Sequence, residues 1–393
     1  MSNNDSIAIL PQASPELKQR SEELEARIRS IILAGGPIPF PRYMEMALYE
    51  PELGYYTAGL KKFGKHGDFV TAPELGSVFA QCLAAQIRQI ATVITDYNIL
   101  EVGAGSGKMA VDVLAELKDE LPNRYWILER SPELKHRQRD AIRAAHPELL
   151  NIVEWLDEPP VTAWNGVIIA NEVVDALAVE RFRIEQGYAQ QAMVGTIDDK
   201  LSWTFADAPH DLRAAVQHLN AYLGAEFPDG YCSEISLKLS SWLQGLTDTL
   251  KQGYVLLIDY GYARRDYYSP ERVDGTLICH YQHRAHNNPF YQPGLQDLTA
   301  FVDFTALAEA ADASELECAG YTNQAMFLLG CGLERVLAGL EQLPDRERLQ
   351  LAAEVKQLTL PDEMGEKFQV MALSRDIQMD LCGFELLDLR YRL

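Results

Sequence analysis

Residues 99–107 read Ile-Leu-Glu-Val-Gly-Ala-Gly-Ser-Gly, a pattern suited to bringing a ligand against the backbone. Gly103, Gly105 and Gly107 lack the Cβ atoms that would bar that approach. Glu101 sets a carboxylate two positions before the first of them. Glu129 ends the run Tyr125–Leu128, twenty-two residues beyond Gly107, where an acid would accept from the hydroxyls of a ribose. The register excludes two other nucleotide sites. A dinucleotide fingerprint counted from Gly103 needs its third glycine at Lys108, and no Gly-Lys-Ser/Thr follows the turn as a P-loop requires.

A second acidic group is Asn171-Glu172-Val173-Val174-Asp175, directly after the apolar run Val167–Ala170. Ligands of open α/β sheets bind beyond such strand ends, so this stretch is expected to face the reacting group. Glu172 and Asp175 are three apart at an expected strand-to-helix start and could project from one face. Paired carboxylates there would clamp a guanidinium and orient its nitrogen; alternatively, either residue caps the helix that follows. Asp157 follows the expected strand Asn151–Leu156 and could accept from an adenine amino group, or be a solvated loop acid. His280, His283 and His286 recur every three residues, but no cysteines or acids support a metal site, and structural hydrogen bonding in a loop is the expectation.

These residues need an alternating α/β frame. Ile99–Val102 and Tyr125–Leu128 read as strands, the first of them buried, residues 109–114 as a helix, and Ser131-Pro132-Glu133-Leu134 as a capped helix start. Ser14-Pro15-Glu16-Leu17 opens an earlier helix striped by Leu17, Leu24, Ile28, Ile31 and Ile32, and Pro73-Glu74-Leu75 opens another reaching about Thr92. Residues 181–250 alternate like antiparallel strands before turning helical, too long a stretch for one crossover, so an inserted lobe is expected. Tyr254–Ile258 is the next strand, ending in Asp259-Tyr260-Gly261, and Gly275–Pro293 reads as a loop. Thr305–Ala311 reads as a helix, Leu316–Tyr321 as a strand, Gln324–Leu340 as a helix, and Phe368–Leu373 as a closing antiparallel strand.

Composition narrows the partners. The 393 residues are 47% apolar, enough for a substantial core, and the net charge of −22 disfavours phosphate backbones while suiting a basic substrate. The six cysteines form no Cys-x-x-Cys, and no apolar run approaches membrane-spanning length. With no signal or transit pattern at the start, the expectation is a cytoplasmic protein with no nucleic-acid partner, no membrane insertion and no metal.

The acid-x-Gly-x-Gly-x-Gly pattern of 101–107 resembles motif I of class I S-adenosylmethionine methyltransferases. Five stretches, Pro39–Tyr56, Gly67–Phe79, Leu100–Gly107, Ala170–Val179 and Gly275–Phe304, together with Met364–Leu373, resemble the MidA-like family of those enzymes, which includes a mitochondrial assembly factor for respiratory complex I. The chain departs from that family at Ala80 (glycine in the pattern), Ala178 (proline) and near Phe301 (histidine). The first two read as packing changes; no role is assigned at the third. The Glu172–Asp175 spacing is shorter than the double-glutamate loop of the well-known protein arginine methyltransferases.

The resemblance implies an α/β, Rossmann-like, seven-stranded fold with S-adenosylmethionine as cofactor. The expected divisions are a flexible tail (1–13), an N-terminal helical cap (14–75), a first part of the cofactor domain (76–180), a substrate-covering lobe (181–250) and a second part (251–393) carrying a loop insertion at 262–297. Glu101 is expected to take the methionine ammonium, Gly103, Ala104, Gly105 and Gly107 to form the cradle, and Glu129 to hold the ribose. Asp157, Asn171, Pro73 and Glu74 complete the cofactor set. Glu172 and Asp175 are the catalytic candidates, and Tyr43, Asp259, Tyr260 and His283 the substrate contacts. The implied reaction is methylation of arginine on a protein, with a respiratory complex I subunit as acceptor and a homodimer as an open alternative. Two rival readings are a non-catalytic assembly factor built on this fold and a small-molecule methyltransferase.

Overall fold

Val167–Ala170 and Val255–Ile258 are apolar at every position, as strands covered on both faces must be. In the computed structural model, which describes residues 10–57 and 71–393, they lie in neighbouring strands, Trp164–Asn171 and Leu250–Tyr262, at the centre of one sheet. The sheet runs in the order Glu317–Asn323, Phe368–Arg375, Leu250–Tyr262, Trp164–Asn171, Asn98–Val102, Tyr125–Leu128, Val153–Leu156. Neighbours from Leu250–Tyr262 onward are parallel, while Phe368–Arg375 is antiparallel to both strands beside it. An eighth, two-residue strand, Val302–Asp303, adds to the far end of Leu250–Tyr262, so the sheet exceeds the expected seven by one short piece. Strand order reverses between Asn98–Val102 and Trp164–Asn171, the switch point at which open α/β sheets bind ligands.

This sheet and its helices form one of two compact units, made of residues 71–174, 240–263 and 302–393 of the described chain. Its core packs the inner face of helix Val78–Ala91 (Phe79, Leu83, Ile87) with Ile99, Val113, Ile169 and Leu256. The helix expected from Pro73 to Thr92 is broken into Ala72–Leu75 and Val78–Ala91. The cause is a distant residue: Glu354 accepts from the Val78 N–H at 2.7 Å, and a Cβ on Gly76 would overlap its carboxylate. The helix expected over Gln324–Leu340 likewise stops at Gly330 and restarts as Leu333–Leu337. Gly332, at φ 91°, makes the break.

The other unit gathers residues 10–57, 175–239 and 264–301. Helix Pro15–Gly35 is capped by Ser14 and stopped by Gly36 at φ 85°, and it buries Leu24, Ile28 and Ile32. A five-stranded antiparallel sheet contains Ile38–Pro39, Tyr188–Ile197, Glu180–Glu185 and Cys232–Ile235 in that order, with Lys200–Asp207 on Tyr188–Ile197. The stretch Gly275–Pro293 is a correction, because it is not an irregular loop. Ile278–Tyr281 and Arg284–His286 form a hairpin, and Asp297–Thr299 adds a third strand. Its two-residue turn is Gln282-His283, both at positive φ (46° and 61°), a turn usually marked by Asn-Gly. The start of the expected tail (1–9) and residues 58–70, which carry part of the second family-like stretch, lie outside the described residues.

Candidate active site

Asn98–Val102 delivers the chain to a turn whose three glycines all take the left-handed region: Gly103 at φ 67°, Gly105 at 54° and Gly107 at 84°. Each would cost a side-chain-bearing residue about 1 kcal/mol or more. Gly107 answers a second need, since a Cβ there would lie 3.0 Å from Gln138 Cα. Ala104 is buried in the turn, and Ser106 donates to Glu74 on the short helix Ala72–Leu75, where Pro73 is buried. Pro73 and Glu74 therefore stand against the glycine turn through that helix.

Glu101 points into the protein beneath the turn, with no solvent exposure. Its Oε2 accepts from Tyr125 Oη at 2.7 Å, while Oε1 has no partner among the described residues. Burial pushes its carboxyl up to about 7, with a smaller push from Glu129 and an opposing pull from the Tyr125 hydrogen bond. A buried acceptor without a donor is costly, and a ligand cation would satisfy it. Glu129 is held by the Ser131 N–H on Oε1 (2.9 Å) and Gln138 Nε2 on Oε2 (3.1 Å). The orphan oxygen and the fixed second acid supply the acceptors, and the positive-φ glycines the close backbone approach, that an ammonium-bearing nucleoside such as S-adenosylmethionine requires, so the residues fit the group.

Gln138 is a residue that reading the sequence missed. Its Nε2 also donates to Gly105 O (3.0 Å), and its Oε1 accepts from Trp155 Nε1 (3.0 Å), so one fully buried amide ties the turn, Glu129 and the strand Val153–Leu156 together. A signal was present: helix Pro132–Ala145 buries Leu134, Gln138 and Ile142, an i, i+4, i+8 stripe with an amide at its centre. Asp157, by contrast, is an exposed acid whose side chain is 84% accessible and paired with Lys135 at 2.6 Å.

The acidic stretch differs most from expectation. No helix follows Asn171; residues 172–179 form turns and extended chain, so Glu172 and Asp175 neither share a helix face nor cap one. The reason lies in the backbone. Glu172 takes φ 53°, which a helix cannot accommodate, with its N–H given to Ile258 O at 2.9 Å. Asp259 then accepts from Val173 N–H (3.2 Å) and Val174 N–H (3.0 Å) on Oδ2 and from Tyr260 N–H (2.9 Å) on Oδ1. Asp259 is thus the clasp that shapes the loop. A non-glycine residue at positive φ stores strain of the kind found at functional sites. Asn171 donates from Nδ2 to Glu172 Oε1 at 3.2 Å, and its Oδ1 has no partner among the described residues. Asp175 is buried, opens the second stretch of the other unit, and its carbonyl accepts from Ala300 N–H at 3.0 Å.

One substrate candidate is corrected. Tyr43 is fully buried, gives its hydroxyl to Pro289 O at 2.6 Å and meets Phe290 edge-on, because its helix Phe40–Tyr49 turns that face into the core. His283 is an exposed residue of the hairpin turn, placed there by its positive φ. Tyr260 is half-buried against Phe368. Near Asp175 in its own unit, Tyr49 Oη donates to Ala176 O (3.3 Å) and Tyr56 Oη lies 3.1 Å from both Asp297 carboxylate oxygens.

Comparison with known proteins adds four matches. The profile of a family described as S-adenosyl-L-methionine-dependent methyltransferases matches residues 78–322. A Burkholderia thailandensis protein, solved with S-adenosyl-homocysteine bound, superposes with a TM-score of 0.91 at 37% identity, covering 98% of this chain and 100% of that one. "Protein arginine methyltransferase NDUFAF7 homolog, mitochondrial" of Drosophila melanogaster is 27% identical over 92% of this chain and 87% of its own length. The human "Protein arginine methyltransferase NDUFAF7, mitochondrial" is 27% identical over 87% and 81% respectively. These relatives are named mitochondrial, which overturns the cytoplasmic expectation.

Proposed function

The chain belongs to the family of S-adenosyl-L-methionine-dependent methyltransferases, and we propose that the methyl group it transfers goes to an arginine side chain of a protein. The observation that carries the site assignment is the buried, unpartnered Oε1 of Glu101 beneath three left-handed glycines. When bound, the cofactor supplies a methyl carbon on a sulfonium, already a good leaving group. The protein's own residues then have limited tasks: to bind, to align the nucleophile and to exclude water. Glu101 accepts from the amino-acid ammonium, the turn 103–107 lets the ligand lie on backbone, and Glu129, locked by Ser131 and Gln138, accepts from the ribose hydroxyls.

Glu172 is the residue we assign to the acceptor. Its strained backbone is set by Asp259 and Ile258, and its carboxylate, steadied by Asn171, would accept guanidinium N–H groups and turn one nitrogen toward the methyl carbon. Arginine as acceptor is supported by the names of the curated relatives and by the net charge of −22, which draws basic peptides. A respiratory complex I subunit is the first acceptor to try, on the family resemblance.

The experiment incubates purified protein and methyl-labelled S-adenosylmethionine with extract from cells lacking this chain, beside a Gly105→Val control that cannot hold φ 54°. One labelled protein band that hydrolyses to methylarginine is the expected result. Binding of S-adenosylmethionine with label only in small molecules would replace arginine by a small acceptor. Binding with no label anywhere would favour a non-catalytic assembly role.

A further inference from the structure

Away from the nucleotide site, the segment following the last strand brings two thiols together. Cys331 closes helix Gln324–Gly330, and Cys382 opens the short turn Cys382–Phe384. Their Sγ atoms lie 4.0 Å apart although 51 positions separate them in the chain. A glycine beside each thiol lets the two backbones meet. A Cβ on Gly330 would sit 2.4 Å from Cys382 O, and one on Gly383 would sit 3.2 Å from Cys331 Sγ. Disulfides need that proximity, with Cα atoms within about 7 Å. The turn is also pinned by Gln89 Oε1, which accepts from Cys382 N–H at 2.9 Å, and by Gln86 Oε1, which accepts from Gly383 N–H at 2.9 Å. Neither the nucleotide site nor the acceptor loop uses these residues.

We propose that Cys331 and Cys382 are a modification site, closing to a reversible disulfide by exchange with a small disulfide of the glutathione type and stapling residues 376–393 to the helix end at 331. The Cys382 thiolate attacks one sulfur of oxidised glutathione; the S–S bond breaks, one glutathione thiolate leaves, and a mixed disulfide remains on Cys382. Cys331 Sγ, losing its proton to solvent, then attacks Cys382 Sγ and expels the second glutathione thiolate. Two protein thiols are oxidised and one glutathione disulfide is reduced to two thiols. The order follows from the surroundings. Cys382 is half-buried, and its thiol is held below the usual range by the hydrogen bond it shares with Cys331. Cys331 is buried, and desolvation followed by the same bond pushes it up. The third thiol nearby, Cys82, is buried and raised to about 12, which leaves it unreactive.

The test takes the full chain, reduced and then incubated with oxidised glutathione, digested without reductant and mapped by mass. A peptide pair joining Cys331 to Cys382, two hydrogens lighter than its parts and released by dithiothreitol, is expected. Cys331→Ser should instead accumulate glutathione on Cys382. The oxidised wild type should melt on the order of 3 °C higher than the reduced form. The proposal is overturned if both thiols survive conditions that oxidise the urea-unfolded chain, or if the glutathione adduct persists on wild-type Cys382 without closing. If Cys331→Ser does not fold, the wild-type map alone decides, and absence of the joined peptide refutes the site.

Discussion

Replacing Glu101 by Gln separates binding from folding, because the two respond in opposite directions. The amide is isosteric and can still accept the Tyr125 hydroxyl, but it carries no charge for a ligand ammonium. A hydrogen bond to a charged group contributes about 1.5–3 kcal/mol, so the Kd for S-adenosylhomocysteine should rise by about 10- to 150-fold. The wild-type carboxyl, pushed up to about 7 by burial, adds a pH signature. Only its ionised form attracts the cation, so wild-type affinity should fall about tenfold from pH 8 to pH 6, while the Gln variant stays flat. Stability should run the other way. The folded carboxyl titrates near 7 against 4.5 when unfolded, so its ionisation penalises the folded state. That penalty is absent below 4.5, grows as pH rises through the interval, and is complete above 7, where it reaches about 3 kcal/mol. At pH 8 the Gln variant should therefore melt a few degrees higher than wild type while binding worse. Calorimetric titration at pH 6, 7 and 8, beside thermal unfolding at each pH, reads both effects. Equal affinities for the two proteins, or the same pH slope in both, would refute the role given to Glu101.

Gln138→Leu keeps the stripe apolar but removes the bonds to Gly105 O, Glu129 and Trp155; calorimetry should find S-adenosylhomocysteine binding about 10- to 30-fold weaker at a cost of about 1–2 kcal/mol in stability, read by urea unfolding. Asp259→Asn places an amide where two loop N–H groups need an acceptor. Methyl transfer should fall by about a hundredfold or more while cofactor Kd stays within about threefold, and an equal loss in both would assign Asp259 to the cofactor instead. Asp157→Ala, which removes an exposed acid paired with Lys135, should change Kd by less than about twofold, and a larger loss would return it to the adenine site.

The backbone of the candidate nucleotide site was legible because its geometry is local. The glycine spacing sets backbone angles within five residues, and Glu101 and Glu129 lie at the carboxyl ends of neighbouring strands, one just inside and one just beyond, whose apolar runs announce themselves. The central sheet followed from the same runs, and the antiparallel direction expected for Phe368–Leu373, observed in the strand Phe368–Arg375, from the resemblance to a fold that such a strand closes. What pattern reading could not reach were residues whose partners are remote. Gln138 reaches back 33 positions to Gly105, Asp259 reaches 85 to Val174, and Glu354 reaches 276 to split a helix at Val78. Tyr43 gave way as a substrate contact for the same reason, since helix phase decides whether a polar side chain meets core or solvent. Local spacing decides which backbone shapes and acceptor types are available, and together with the resemblance to motif I that was enough to identify the cofactor. Tertiary packing decides which carboxylate is spent holding a loop, and it alone gave that task to Asp259.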